Sequence, residues 1–271
     1  MSRNSWLGCA ASLLIAASAS AALAGQPAAG ASTPWPPVRQ EPWPLGALSK
    51  ENLAKARPAA PFDMTGNWMV IGEQANGGLS QFRPLPKLKA PAQTLYDAGV
   101  KANAAGLAFR DDAGKCWPNG MPKFLNRAWP IQMFQYPTVI VMIQELENQL
   151  RWIYTDGRGH GDPDLVPATW NGDSIGRWEG DTLVVDTSNI ESKRHWIETG
   201  IPVSDQFHIV ERWKLLPTGI LEVKLVMTDP IMWEGEWLSE KHYRRAEDRD
   251  PTEVHCPPDL NDHIAGTRSS E

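Results

Sequence analysis

The 271-residue chain is long enough for one large domain or two small ones, and it excludes a repeat array or a fibre. With 26 Lys and Arg against 32 Asp and Glu it is mildly acidic, net charge −6, which argues against nucleic acid as a partner. Apolar residues at 42% and charged ones at 21% exclude wholesale disorder. Thirteen Trp against six Phe and four Tyr is an unusual balance. Trp offers flat apolar area with one N–H donor, which suits aromatic or sugar-like ligands and equally suits a β core filled by large side chains.

Residues 1–24 carry Arg3, an uncharged stretch from Trp6 to Ala24 and the ending Ala22-Leu23-Ala24, the pattern of a secretory signal peptide. The stretch is too poor in large apolar residues for a stable membrane anchor, and no later apolar run approaches bilayer length. The expected location is therefore periplasmic or secreted, and nothing in the chain fixes an oligomeric state. Export governs how the cysteines are read. Cys116 and Cys256 remain in an oxidising compartment, and we expect them to pair. The alternative is a pair of free thiols, one of them a nucleophile, with His255 beside Cys256.

Residues 25–61, rich in Pro, Ala, Gly and Ser, read as an extended arm in which Trp35 and Trp43 are free to pack on the domain. The domain, 62–271, begins with Gly66-Asn67-Trp68 leading into an apolar strand. Residues 91–105 fit one helix with Pro91 in its first turn. From Thr138 the pattern becomes strands: a hairpin around Glu147-Asn148, a second turning at Glu179-Gly180-Asp181, a third at Leu216-Pro217-Thr218-Gly219, and a last strand from Trp237 to Arg244. Short strands joined by tight turns predict a mainly β fold, a single antiparallel barrel with one helix. The tail from Arg244 reads as a surface strap tied by Cys256.

Gly-x-Trp at the first strand followed by a meander resembles lipocalin-type barrels. Longer strings carry a second resemblance: Tyr154-Thr155-Asp156-Gly157-Arg158-Gly159-His160, then Ser174 to Thr187 (SIGRWEGDTLVVDT), then Ser204-Asp205-x-x-His208-x-x-Glu211-Arg212. Together they resemble a large family of secreted bacterial proteins, mostly of unknown function, for some of which lyase activity on lignin-derived aromatic dimers is implied. The chain departs from that pattern at Gly161, where Pro often follows the His.

No Gly-rich phosphate cradle, Gly-x-Ser-x-Gly elbow or His-Glu-x-x-His helix is present, so the nucleotide, serine-hydrolase and zincin readings lose support; we expect catalysis without a cofactor and assign no metal residue, the alternative being a metal in an irregular site. Alternation along 149–155 groups Trp152, Tyr154 and Asp156 on one face, read as the barrel interior at its mouth. In the loop after that strand, Asp156 serves as a general acid or base, or merely caps amides and pairs with Arg158; His160 with Asp162 and Asp164 has metal-ligand types but lacks a second nearby His. On 204–212, His208 and Arg212 share one face, read as inward, and Glu211 the other, as a candidate or as a partner for an Arg. The string Trp178-Glu179-Gly180-Asp181 reads as a structural turn. The connection from Asp186 to Asp205 has room for a lid, with Trp170 and Trp196 as aromatic contacts.

The reading is a cofactor-independent lyase acting on a small aromatic molecule. His208 exchanges protons with Asp205 or Asp156, and Arg158 or Arg212 holds oxyanion charge; His160 and Glu211 complete the candidates. Carbon–carbon cleavage releasing a small aldehyde and dehydration both fit. A non-catalytic carrier of hydrophobic ligands is the alternative, and a carbohydrate-active protein with paired carboxylates is a third.

Overall fold

The computed structural model describes residues 34–39, 45–72, 82–107, 109, 116–198, 200–254 and 256–257. The signal-peptide segment, Trp43 and His255 lie outside them. The chain divides into two compact units, residues 1–35 and 36–271, and every helix and strand named below belongs to the second.

In chain order the elements are α1 (Lys50–Leu53), β1 (Gly66–Val70), β2 (Lys87–Leu88), α2 (Ala90–Ala104), β3 (Ile131–Gln135), β4 (Val139–Gln144), β5 (Gln149–Tyr154), β6 (Asp173–Glu179), β7 (Thr182–Ser188), β8 (Trp196–Ile197), β9 (Ile201–Pro202), β10 (His208–Leu215), β11 (Leu221–Thr228), β12 (Trp233–Glu234) and β13 (Glu236–Arg245). Nine of the strands close a barrel in the order β1-β13-β11-β10-β7-β6-β5-β4-β3. The expected hairpins form: β6 and β7 pair from Glu179↔Thr182 outward, and Gly180 at the turn has φ +60, a conformation that glycine adopts without a steric penalty. The one long helix starts at Ala90 with Pro91 in its first turn, as its sequence predicts.

One junction is not antiparallel. The connection from β5 to β6 crosses back over the outside of the barrel, so the two strands pair in parallel and only at Ile153↔Ser174 and Tyr154↔Ile175. Among the described residues, the rest of β5 has no neighbouring strand on that side. Asn171 partly replaces the missing ladder, its Nδ2 donating to the Leu150 carbonyl at 2.8 Å.

Alternating burial fixes which residues fill the barrel. Along β10, Ile209, Glu211 and Trp213 are buried, while His208 and Val210 are half-buried and Arg212 is exposed. Trp68, Met133, Ile153, Val185, Leu225, Trp237 and Tyr243 join them in one continuous core. Each fully buried large side chain contributes roughly 2 to 3 kcal/mol. The β8–β9 hairpin, expected as a lid, contributes Ile197 and Ile201 to this core. Cys116 and Cys256 are joined by a disulfide, the pairing expected for them.

Candidate functional site

The inward faces read from the sequence are reversed at both candidate strands. On β5, Arg151 and Ile153 point into the core, while Trp152, 38% exposed, and Tyr154 lie on the outer face. On β10, Glu211 is inside and His208 and Arg212 are outside. The reason is a charge pair that neither strand reveals alone. Arg151 Nη1 and Nη2 reach the two Glu211 oxygens at 2.9 and 2.5 Å, both side chains have no solvent exposure, and Ser174, Thr187 and the Trp213 indole complete their hydrogen bonds. A charge that finds such a partner is tolerated inside; an unpaired His or Arg is not. Glu211 is thus a core residue.

The proton-exchanging groups gather instead on the outer face, around the loop after β5. His160 lies between two carboxylates: Nδ1 is 3.3 Å from Asp173 Oδ2 and Nε2 is 2.8 Å from Asp186 Oδ1. His208 Nε2 meets the same Asp186 oxygen at 2.9 Å. Burial opposes a charged His160 ring, but the two carboxylates outweigh it and push its pKa up to about 9. Burial likewise opposes ionisation of Asp186, and the two imidazoles outweigh it, bringing its pKa down to about 2. Asp173 is also held below its usual range against burial, by His160, by the Gly161 N–H at 2.7 Å and by Arg39. At neutral pH the cluster is therefore an imidazolium between two carboxylates. The Gly161 donor has a consequence for the motif, because a proline at that position has no N–H to give.

The remaining sequence candidates are placed differently. His208 does not meet Asp205 or Asp156: Asp205 is exposed beyond the start of β10, and Asp156 accepts from Arg158 Nε at 2.8 Å and Nη2 at 2.6 Å and from Asn52 Nδ2 at 2.8 Å. These partners outweigh burial and hold the Asp156 pKa down, so it is a loop anchor. Arg158 also stacks 4.2 Å over the Tyr154 ring, and Arg212 pairs with Glu179 at 3.1 Å, so each guanidinium already has a carboxylate. His160 cannot share a metal with Asp162 and Asp164, since both its ring nitrogens are engaged and Asp162 caps the Asp164 amide at 2.9 Å. Among the described residues, Glu222, Glu240 and His242 have metal-like spacing, but the Lys224 ammonium lies 3.2 and 3.8 Å from the two glutamates.

Beside the cluster runs a groove of about 520 Å³, opened by the missing part of the β5–β6 ladder. Trp152, Tyr154 and Trp170, three of the four aromatic residues singled out in the sequence, line it; Trp196 does not. Asp173 and Arg39 stand in the same wall. Trp170 is backed by His195, stacked at 5.8 Å, whose complete burial and the nearby Lys123 push its pKa down to about 3. That neutral ring is packing for the groove wall.

Asp173, Asp186 and Arg39 were missed in the sequence. For the first two a signal existed: counting outward from the turn at Gly180, Asp173 and Asp186 fall on the same hairpin face as Ile175. Arg39 has no local signal.

No protein-family model matches the chain, and comparison with curated proteins finds no match. Among solved structures, the chain is similar to the fluorescent protein UnaG, at 12% identity over 68% of this chain and 97% of that one, with a TM-score of 0.32.

Proposed function

We propose that this protein is an exported lyase that binds a small aromatic molecule in the β5–β6 groove and does acid/base chemistry on it without a cofactor. The observation that carries this reading is that Trp152, Tyr154 and Trp170 line the same groove as Asp173. Aromatic walls orient a ring, and a carboxylate at the wall receives a hydroxyl proton. In carbon–carbon cleavage, the proton of a side-chain hydroxyl passes to Asp173. The O–H electrons become the C=O bond of the departing aldehyde, and the C–C bonding pair stays on the aromatic fragment, which then takes the proton back. The His160 imidazolium beside Asp173 keeps that carboxylate ionised between turnovers.

One observation favours a second reading. A carboxylate held ionised is a strong hydrogen-bond acceptor but a weak base, as a non-catalytic carrier of hydroxylated aromatics would require. Incubating the mature protein with a panel of aromatic dimers and alcohols, then analysing the products by mass, separates the two. New products, with loss of turnover by about a hundredfold or more in Asp173→Asn, are expected for the lyase. Ligand recovered unchanged selects the carrier, and absence of binding across the panel overturns the groove as the site.

A further inference from the structure

We propose that Arg39 is a positioning residue for the acid/base cluster, so that the Pro-rich arm is a working part of the site. The proposal rests on the groove being the site. Arg39 comes after Pro36 and Pro37, in a segment whose prolines remove backbone donors and leave it to pair with another part of the chain. It pairs with the His160 loop. Its N–H donates to the His160 carbonyl at 2.6 Å, its Nε donates to the Gly159 carbonyl at 2.7 Å, and Arg39 bridges Gly161 in parallel. Its Nη2 lies 4.0 Å from Asp173 Oδ2.

The loop is shaped to receive the arm. A Cβ on Gly159 would collide with the Pro37 carbonyl, and one on Gly161 would come within 2.8 Å of Val166 and 3.4 Å of Arg39 Nη2. Further along the arm, the Leu45 carbonyl accepts from Arg158 at 3.2 Å and Asn52 donates to Asp156. Gly159 is therefore the clearance for the crossing arm, and Gly161 the clearance for Val166 of its own loop, beside the Arg39 guanidinium. The His160 ring reaches carboxylates on two different strands only while its own backbone is held in place, and Arg39 supplies that hold on both sides of the ring.

The charged groups facing His160 are Asp173 from β6, Asp186 from β7 with His208 of β10 upon it, and Arg39 from the arm; Arg158 and Asp162 flank it on its own loop. This arrangement gives the test a sign. Deleting a nearby positive charge alone raises the proton affinity of His160, whereas releasing its loop from the two carboxylates lowers it. In NMR titrations of the full mature chain, Arg39→Gln should lower the His160 proton affinity by at least about tenfold, one pKa unit. Gly159→Ala, which keeps every charge but denies the arm its path, should shift it in the same direction, and Arg39→Lys should fall between wild type and Arg39→Gln. An unchanged or raised proton affinity in Arg39→Gln, or a wild-type value in a folded Gly159→Ala, overturns the proposal; should Gly159→Ala fail to fold, Arg39→Gln decides alone. The titration needs no substrate, so failure of the groove reading shows in binding and turnover and failure of this proposal shows here.

Discussion

Glu211 on β10 reaches Arg151 on β5 across the inside of the barrel, 2.5 Å apart at the closest oxygen and nitrogen, with two intervening strands between them in the sheet. Removing one partner leaves a bare charge in a core of Trp, Met and Leu side chains. Glu211→Gln or Arg151→Met should each cost about 3 to 5 kcal/mol, whereas the double replacement Arg151→Met with Glu211→Leu should recover much of that loss. Urea denaturation of the three variants checks this, and equal losses in the single and double variants would contradict it.

Stability should fall on the alkaline side through His160. Its folded pKa of about 9 lies above the ordinary 6.5, so the stabilisation is complete below 6.5 and disappears as pH climbs to about 9. The shift corresponds to roughly 3 kcal/mol. Asp186, lowered from 3.8 to about 2, reports the same contact from the acid side: its stabilisation is present above 3.8 and is lost as pH falls towards 2. In His160→Gln the alkaline decline of the urea midpoint should vanish. A decline unaltered by that substitution would assign it to another group.

Trp152 is more than a third exposed and contributes little to the core. Trp152→Ala should leave the melting temperature nearly unchanged while weakening binding of an aromatic probe about fivefold, as expected for loss of roughly 1 kcal/mol of ring contact. Isothermal titration with benzyl alcohol measures it; equal affinities would remove Trp152 from the groove.

The disulfide joins positions 140 residues apart. In the chain-entropy account a loop of that length stabilises the fold by up to ~5 kcal/mol. Cys116→Ser with Cys256→Ser should melt well below the oxidised protein, and reduction of the wild type should reproduce that melting curve.

Local pattern carried most of the architecture. Turn residues at Gly180 and Gly219, a proline at the head of α2 and alternation in β11 and β13 are signals written within ten residues of where they act. The inside and outside of β5 and β10 were not legible that way, because each strand offers polar groups on both faces. The choice was made by a pairing between residues 60 apart, Arg151 and Glu211. The site shows the same division. His160 and His208 stand in strings distinctive enough to notice, but the carboxylate that joins them, Asp186, becomes visible only when the hairpin register is counted out. Arg39 contacts a carbonyl 120 positions away, beyond any local rule.

The covalent ring closed by Cys116 and Cys256 encloses eight of the nine barrel strands, all except β1. β1 is a keystone, inserted between β3 and β13 from outside the ring. A chain cut after residue 70 and stripped of that strand would keep its crosslink yet expose two raw sheet margins, each with unpaired amides and carbonyls. Such a fragment would find its missing strand in other chains, and self-association would mark proteolytic loss of β1 even while the disulfide remained intact.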